Sequence, residues 1–133
     1  MHTNQNTIIG AKAENTACEF LSAHGLQLIE KNFRVDQING KEKMEIDLIM
    51  QDQDHLVFIE VKLRTHQDYG DAIEMISRAK QQRLMRAATY FLVTHGLYNT
   101  AQPRFDVVGI TPDETRPSSQ KINWIRDAFG VNY

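Results

Sequence analysis

The stretch that decides the fold of this chain is residues 45–62, EIDLIMQDQDHLVFIEVK. It contains two runs of apolar β-formers, residues 45–50 and 56–62, on either side of a polar tetrad. Apolar runs bounded by turn residues are typical of a β-hairpin. The sequence therefore predicts two antiparallel strands joined by a turn that centres on Gln53 and Asp54.

The register of this hairpin would bring charged side chains together in an apolar setting. With the turn so centred, Asp47 lies directly opposite Glu60, and Glu45 lies directly opposite Lys62, on a shared face. Directly opposed side chains have Cβ atoms roughly 4.5 to 5.5 Å apart, and like charges at that spacing are destabilising. Since hard cations are held by one or two carboxylates, the facing acids predict Mg²⁺ or Mn²⁺ between Asp47 and Glu60.

Two carboxylates and a lysine in this arrangement suit metal-assisted hydrolysis of a phosphodiester. A divalent ion at Asp47 and Glu60 would polarise the phosphoryl oxygen and lower the pKa of water, and Lys62 would orient that water or neutralise developing charge. The alternative is an ion-pair network that joins Glu45 to Lys62 across the strands. In that network three carboxylates share one strand lysine, so the network keeps a net negative charge unless a cation or Lys80 joins it.

The composition is that of an ordinary globular protein. The 133 residues are 41% hydrophobic and 24% charged, and a chain of this length predicts a single domain, residues 1–133. A net charge of −2 gives no overall attraction to nucleic acid, so such a partner needs a local basic patch or a bound metal. The single Cys18 excludes an intramolecular disulfide. With neither a signal sequence nor a membrane-length apolar run, we expect a cytoplasmic protein with no membrane association.

Hydrophobic periodicity outlines the rest of an α/β fold. It predicts a helix at residues 7–24, a strand at 26–35, a helix capped at 77 and running to about 94, and a strand at 104–110. The first three strands would form an antiparallel meander, and the last would join it in parallel after a right-handed helical crossover. The sheet is thus mixed and flanked by helices. Residues 111–120 look disordered, and residues 122–129 would pack on the body.

Two helical positions bear on the charged hairpin. Glu14 shares a helix face with Cys18 and Leu21, a geometry that favours a solvated flank. Lys80 lies on the inward stripe of the second helix, in its first turn. Around that helix start the sequence predicts a basic surface, with Lys80 and Arg83 as candidate contacts to nucleic acid and Arg78 and Arg86 beside them.

An acid, a hairpin, a Glu-x-Lys motif and a crossover helix together resemble the core of the PD-(D/E)XK nucleases, which is also seen in archaeal Holliday-junction resolvases. More narrowly, the chain resembles the YraN-type bacterial family of uncharacterised endonuclease-like proteins. The matching segments cover most of the chain: residues 10–21, 45–49, 56–62 with Arg64, 80–84, 104–108 and 124–129.

The resemblance implies a restriction-endonuclease-like fold that cleaves DNA, with branched or structured DNA as the substrate class. On the positions that match, it implies that Asp47 and Glu60 are the metal ligands and that Lys62 is the catalytic lysine. It adds Glu14 as a further acid from the first helix, beside Glu45, and Arg64 as a further nucleic-acid contact. The implied cofactor is Mg²⁺ or Mn²⁺.

One departure from the family pattern falls beside the predicted site. Met44 stands where the family usually has glycine before Glu-Ile-Asp, after a loop that is lengthened by residues such as 38–43. Period-2 alternation places Met44 on the face opposite Glu45, where it would pack. Three matters stay open at this point: RNA as the substrate, a homodimer as the assembly, and a catalytically inactive module that binds nucleic acid or protein on a nuclease scaffold.

Overall fold

The protein is described by a computed structural model that covers residues 5–38, 42–63, 76–112 and 120–130. Its elements in chain order are α1 Gln5–Ala23, β1 Gln27–Ile38, β2 Glu42–Asp52, β3 His55–Leu63, α2 Arg78–Thr94, β4 Gln102–Pro112 and β5 Gln120–Phe129. Each predicted helix and strand is present, with ends that move by a few residues. The predictions for Arg64 and for most of residues 111–120 lie outside the described residues.

The five strands form one mixed sheet in the order β1-β2-β3-β4-β5. Among the described strands only the β3–β4 pair is parallel, and α2 lies between these two strands in the chain. The predicted meander with a parallel strand after a crossover helix is therefore confirmed. The C-terminal segment, expected only to pack on the body, is instead a fifth strand that pairs antiparallel with β4.

The β2–β3 hairpin has the predicted turn but a shorter ladder. Asp52 pairs with His55 across a two-residue turn, and the register continues as far as Leu48 opposite Ile59. Beyond that pair β2 stays hydrogen-bonded only to β1, while β3 continues along β4. The sheet is thus open between β2 and β3 at residues 42–47 of β2 and 60–63 of β3, and this opening is named the fork.

Each face of the sheet is covered by one helix, and each helix buries the predicted stripe. On one face α1 packs Ala13, Ala17 and Leu21 against the sheet, together with the buried Cys18. On the other face the buried side chains of α2 are Leu84, Ala87, Ala88, Phe91 and Leu92. No helix among the described residues combines the length and the apolar character needed to cross a bilayer.

The start of α2 is fixed by its cap. Ser77 has an extended backbone, and its Oγ accepts a hydrogen bond from the backbone N–H of Lys80 at 3.1 Å. This is the N-cap arrangement that satisfies one of the free amides of a first helical turn. The cap thus fixes the backbone of Lys80 in the first turn of α2, at the end of the helix that faces the fork.

The alternation of side chains along β2 changes at the fork. Met44 and Ile46 belong to the core under α2, whereas Leu48 and Met50 belong to the core under α1. In a regular strand residues two apart share a face, so the pattern shifts by one residue at Asp47. Met44 is buried, as the alternation predicted.

The far end of the sheet is held by a buried ionic cluster around Asp106, which is fully buried. Its carboxylate accepts hydrogen bonds from the Arg104 guanidinium at 2.9 Å, from Trp124 Nε1 at 2.9 Å and from the backbone N–H of Asp127 at 2.9 Å. Arg104 also reaches Asp52 Oδ2 at 2.8 Å. The cluster joins β4, β5 and the β2–β3 turn. A buried charge is costly unless it is paired and hydrogen-bonded, so these contacts hold the three elements together.

Candidate active site

The candidate site is built on the fork, where Asp47 replaces a backbone group. The backbone N–H of Val61 donates a hydrogen bond to Asp47 Oδ2 at 2.8 Å. Past the last β2–β3 pair this amide has lost its strand partner, and a side-chain carboxylate satisfies it instead. The contact fixes the Asp47 carboxylate in the gap between the strands, near Glu14 of α1 and in the cleft that Lys80 of α2 also lines.

From the α1 side, two further acids meet Asp47. One carboxylate oxygen from each of Glu14, Glu45 and Asp47 lies within 4.8 Å of the other two. The side chain of Asn32 on β1 lies close to the Glu14 carboxylate. Asn32 has a positive φ of 53°, a conformation in which asparagine is enriched among residues other than glycine.

The clustered acids perturb one another. Burial and the nearby charge of Glu60 raise the pKa of Asp47 from 3.8 to about 8, against the opposing hydrogen bond from Val61. Burial also raises the pKa of Glu14, and the Asn32 side chain opposes this rise. In the absence of a cation Asp47 therefore holds a proton at neutral pH, which is the behaviour of carboxylates that share one site.

From the α2 side, Lys80 meets the remaining acid. Lys80 Nζ lies 2.9 Å from Glu60 Oε1, and Glu60 is 5% exposed. Burial lowers the pKa of Lys80, but the Glu60 carboxylate outweighs it, so that this pKa is raised. Lys62 lies next to Lys80, and both burial and the Lys80 charge lower the pKa of Lys62.

The predicted cross-strand pairs, Asp47 with Glu60 and Glu45 with Lys62, are both absent from the β2–β3 ladder. The β2–β3 ladder ends before their positions, so β2 and β3 do not pair there. Glu45 instead pairs in register with Arg34 on β1, and Arg34 Nε lies 3.7 Å from Glu45 Oε1. Since both side chains are largely exposed, this ion pair contributes little to stability. The inert Glu45–Lys62 network considered from the sequence is therefore not formed.

The charged groups line a cleft of about 200 Å³, among whose described lining residues are Lys43, Met44, Glu45, Asp47, Glu60, Lys80, Arg83 and Leu84. One wall is acidic and carries Asp47. The other wall is the start of α2, where Lys80 points into the cleft and Arg83 stands beside it. Arg78, by contrast, is exposed at the first residue of α2.

The donor set fits a small hard cation. Mg²⁺ binds oxygen ligands at about 2.0–2.1 Å in octahedral geometry, so ligand oxygens around one ion lie no more than about 4.2 Å apart. The spacing of the Glu14, Glu45 and Asp47 oxygens needs only small side-chain adjustments to reach this range. The raised pKa of Asp47 points the same way, because a cation would relieve the repulsion that causes it.

Sequence reasoning found most of the site and missed its supports. It identified Asp47, Glu60, Lys62, Glu14 and Glu45, and the fork brings all five together with Lys80. It did not identify Asn32 or Arg34, which hold Glu14 and Glu45 from the edge strand. An asparagine within an otherwise regular strand pattern was the available signal for the first of these.

A model of the family described as "Uncharacterised protein family UPF0102" matches residues 13–110. The chain belongs to this family. A UPF0102 protein of Coxiella burnetii (strain RSA 331 / Henzerling II) is 43% identical over 125 residues, which cover 94% of each chain. Another, of Nitrosococcus oceani, is 44% identical over 92% of this chain and 91% of its own. A third, of Francisella tularensis subsp. tularensis, is 39% identical over 96% and 98%, respectively.

The UPF0102 match confirms the YraN-type family resemblance that was inferred from the sequence. The matched residues run from α1 through β4, so they include the fork and all four clustered acids. They also include Lys62 and Lys80. The candidate site therefore lies within the part of the chain that defines UPF0102.

Proposed function

We propose that this UPF0102 protein is a metal-dependent endonuclease that hydrolyses phosphodiester bonds in DNA, on a PD-(D/E)XK-type core. The observation that carries the proposal is the fork, where Glu45, Asp47, Glu60 and Lys80 line one cleft. Glu14 from α1 brings a carboxylate oxygen within 4.8 Å of those of Glu45 and Asp47, and Lys62 from β3 lies next to Lys80. A phosphodiester needs both kinds of group: carboxylates to hold a divalent ion, and cations to receive the phosphate.

In this proposal Asp47 and Glu60 hold the ion, with Glu14 and Glu45 beside them. Glu60 Oε1 is bound to Lys80, which would leave the other oxygen of the Glu60 carboxylate to hold an ion. Mg²⁺ or Mn²⁺ bound there would act as a Lewis acid and lower the pKa of a water molecule. The protein's own contribution is to fix the carboxylates, through the Val61 amide and the Asn32 side chain, before substrate arrives.

Lys62 is the residue that acts on the reacting groups. Its pKa is lowered by burial and by Lys80, so its amine exchanges a proton more readily than an exposed lysine does. Lys62 orients the attacking water and offsets the negative charge that develops on the phosphate. Arg83, farther along the same wall, contacts the phosphate backbone.

The decisive experiment is a cleavage assay on a panel of linear, branched and single-stranded DNA and of RNA, with Mg²⁺, with Mn²⁺ and with a chelator. We expect cleavage that needs the metal and is lost in Asp47→Ala and Glu60→Ala. Cleavage retained in both variants, or seen equally with the chelator, would contradict the assignment. The panel also decides between DNA and RNA and between branched and linear substrates.

A second function is favoured by one observation. The Lys80–Glu60 ion pair is complete without a metal, as it would be in an inactive module that binds nucleic acid or a protein on a nuclease scaffold. Such a module would bind nucleic acid in a salt-sensitive way, bind no Mn²⁺ and cleave nothing in the panel. The same assay, with a metal-binding measurement beside it, separates the two functions.

A further inference from the structure

The carboxylates of the site fall into two groups with different partners. Glu14, Glu45 and Asp47 bring their oxygens close to one another. Glu60, the fourth, has an ammonium at 2.9 Å from Oε1. A divalent ion bound to that oxygen would have to lie within about 2.2 Å of it, in space that Lys80 Nζ already restricts.

Lys80 already supplies a positive charge next to the buried Glu60 carboxylate. A divalent ion on the same side of Glu60 would add a second positive charge beside that ammonium. Uncompensated charge in a buried setting is costly.

Lys80 occupies a helix position that is electrostatically unfavourable for a cation. The first turn of a helix carries the positive end of the macrodipole, which disfavours a lysine there. Lys80 is nevertheless held in this turn by its own capped amide and is directed at Glu60.

We infer that Lys80 takes the place of a second metal ion, so that the site binds one divalent cation per chain. Two-metal nucleases hold their ions about 3.5–4 Å apart, and here the ammonium is the fixed second positive charge. Lys80 is thus a positioning residue that acts through Glu60. This inference rests on the proposed function, since it concerns the same site.

The test counts Mn²⁺ ions bound to the full chain at pH 8 by isothermal titration calorimetry, checked by electron paramagnetic resonance of free Mn²⁺. We expect one ion in the wild type and two in Lys80→Met. Two variants serve as matched controls that stay at one: Lys80→Arg keeps the positive charge, and Arg78→Met removes a charge from the exposed side of the same helical turn. Circular dichroism establishes that each variant is folded, and Lys80→Gln replaces Lys80→Met if the latter is not.

The inference is overturned by two ions in the wild type, or by a single ion in a folded Lys80→Met at saturating Mn²⁺. Two ions in the wild type would leave the proposed nuclease function standing, because a two-metal site also hydrolyses phosphodiesters. No Mn²⁺ bound to the wild type would overturn this inference and the proposed function together. The count of ions therefore distinguishes the failure of one from the failure of the other.

Discussion

The carboxylate of Asp47 accepts a hydrogen bond from the backbone N–H of Val61 at 2.8 Å, in the position where the β2–β3 ladder has just ended. A side chain thus completes the pairing of a strand that has lost its neighbour. The contact holds an acid in a gap of the sheet. It also means that the charge on Asp47 and the stability of the fold are linked.

The first prediction follows from the raised pKa of Asp47. Because the folded protein holds this proton up to about pH 8 and the unfolded chain releases it near 3.8, the metal-free protein loses stability as pH rises between those values. The slope from this group is at most about 1.4 kcal/mol per pH unit. Asp47→Asn, which resembles the protonated acid, should remove this slope and be more stable than the wild type at pH 8.

Urea unfolding in the presence of a chelator, at pH 5 and at pH 8, measures both proteins. Glu19→Gln, which changes an exposed acid on α1, is the matched control and should follow the wild type. An Asp47→Asn variant less stable than the wild type at pH 8 would show that Asp47 is ionised in the folded, metal-free protein.

The second prediction concerns protons released on binding metal. A cation must displace the proton from Asp47 below about pH 8, so affinity for Mg²⁺ should rise from pH 6 to pH 8 and then level off. Calorimetry in buffers of different ionisation enthalpy should detect close to one proton released per ion at pH 6. An affinity that is flat over this range would contradict the idea that Asp47 is a ligand.

The third prediction separates chemistry from metal binding. Lys62→Met should reduce cleavage by about 10²-fold or more, because it removes a charge aimed at the transition state, while Mn²⁺ still binds. The exposed Lys121 on β5 gives a matched control, Lys121→Met, with unchanged cleavage. Single-turnover cleavage rates and Mn²⁺ titrations make the comparison. Parallel losses of cleavage and Mn²⁺ binding in Lys62→Met would point to a structural role for Lys62.

The fourth prediction concerns the basic wall of the cleft. Arg83→Gln should weaken DNA binding and lower the slope of log affinity against log salt by about one, as expected for the loss of one phosphate contact. Arg126→Gln is the matched control, since this arginine stacks over Trp124 at 4.0 Å. Fluorescence anisotropy at several salt concentrations, with Ca²⁺ in place of Mg²⁺, measures both. Equal salt slopes in the wild type and Arg83→Gln would exclude Arg83 from the interface.

The fifth prediction concerns the buried cluster at the other end of the sheet. Asp106→Ala should cost about 3–5 kcal/mol in the free energy of unfolding, because Arg104 would be left without its buried partner and Trp124 without an acceptor. Asp127→Asn changes an exposed acid of the same segment and should stay within about 0.5 kcal/mol. Guanidinium unfolding measures both. A loss under 1 kcal/mol in Asp106→Ala would mean that water replaces the carboxylate.

Local sequence signals were sufficient for the elements of the fold. The apolar runs around Gln53 and Asp54 predicted the hairpin and its turn, and helical periodicity predicted α2 with its cap at Ser77 and its end at Thr94. These features depend on residues close in sequence. Burial periodicity also placed Met44 correctly, on the face opposite Glu45.

The features that sequence did not reveal depend on distant contacts. Nothing in residues 45–62 indicates that the ladder stops at Leu48 and Ile59, and so the pairing of Glu45 with Lys62 was predicted wrongly. The fifth strand was missed because its pairing depends on β4, and its link to Asp106 spans about twenty residues. Where β2 and β3 separate, period-2 alternation no longer predicts which face of the sheet a side chain occupies.

The two-residue turn between Asp52 and His55 limits which insertions the β2–β3 hairpin can accept. Every β2–β3 pair, from the turn to Leu48 and Ile59, is counted from that turn. A residue inserted between Gln53 and Asp54 has to be accommodated as a longer loop, because a shift of the register by one position would turn the buried residues of one strand toward the wrong helix. The acids at the opposite end of the hairpin keep their alignment only while the register that starts at this turn is kept.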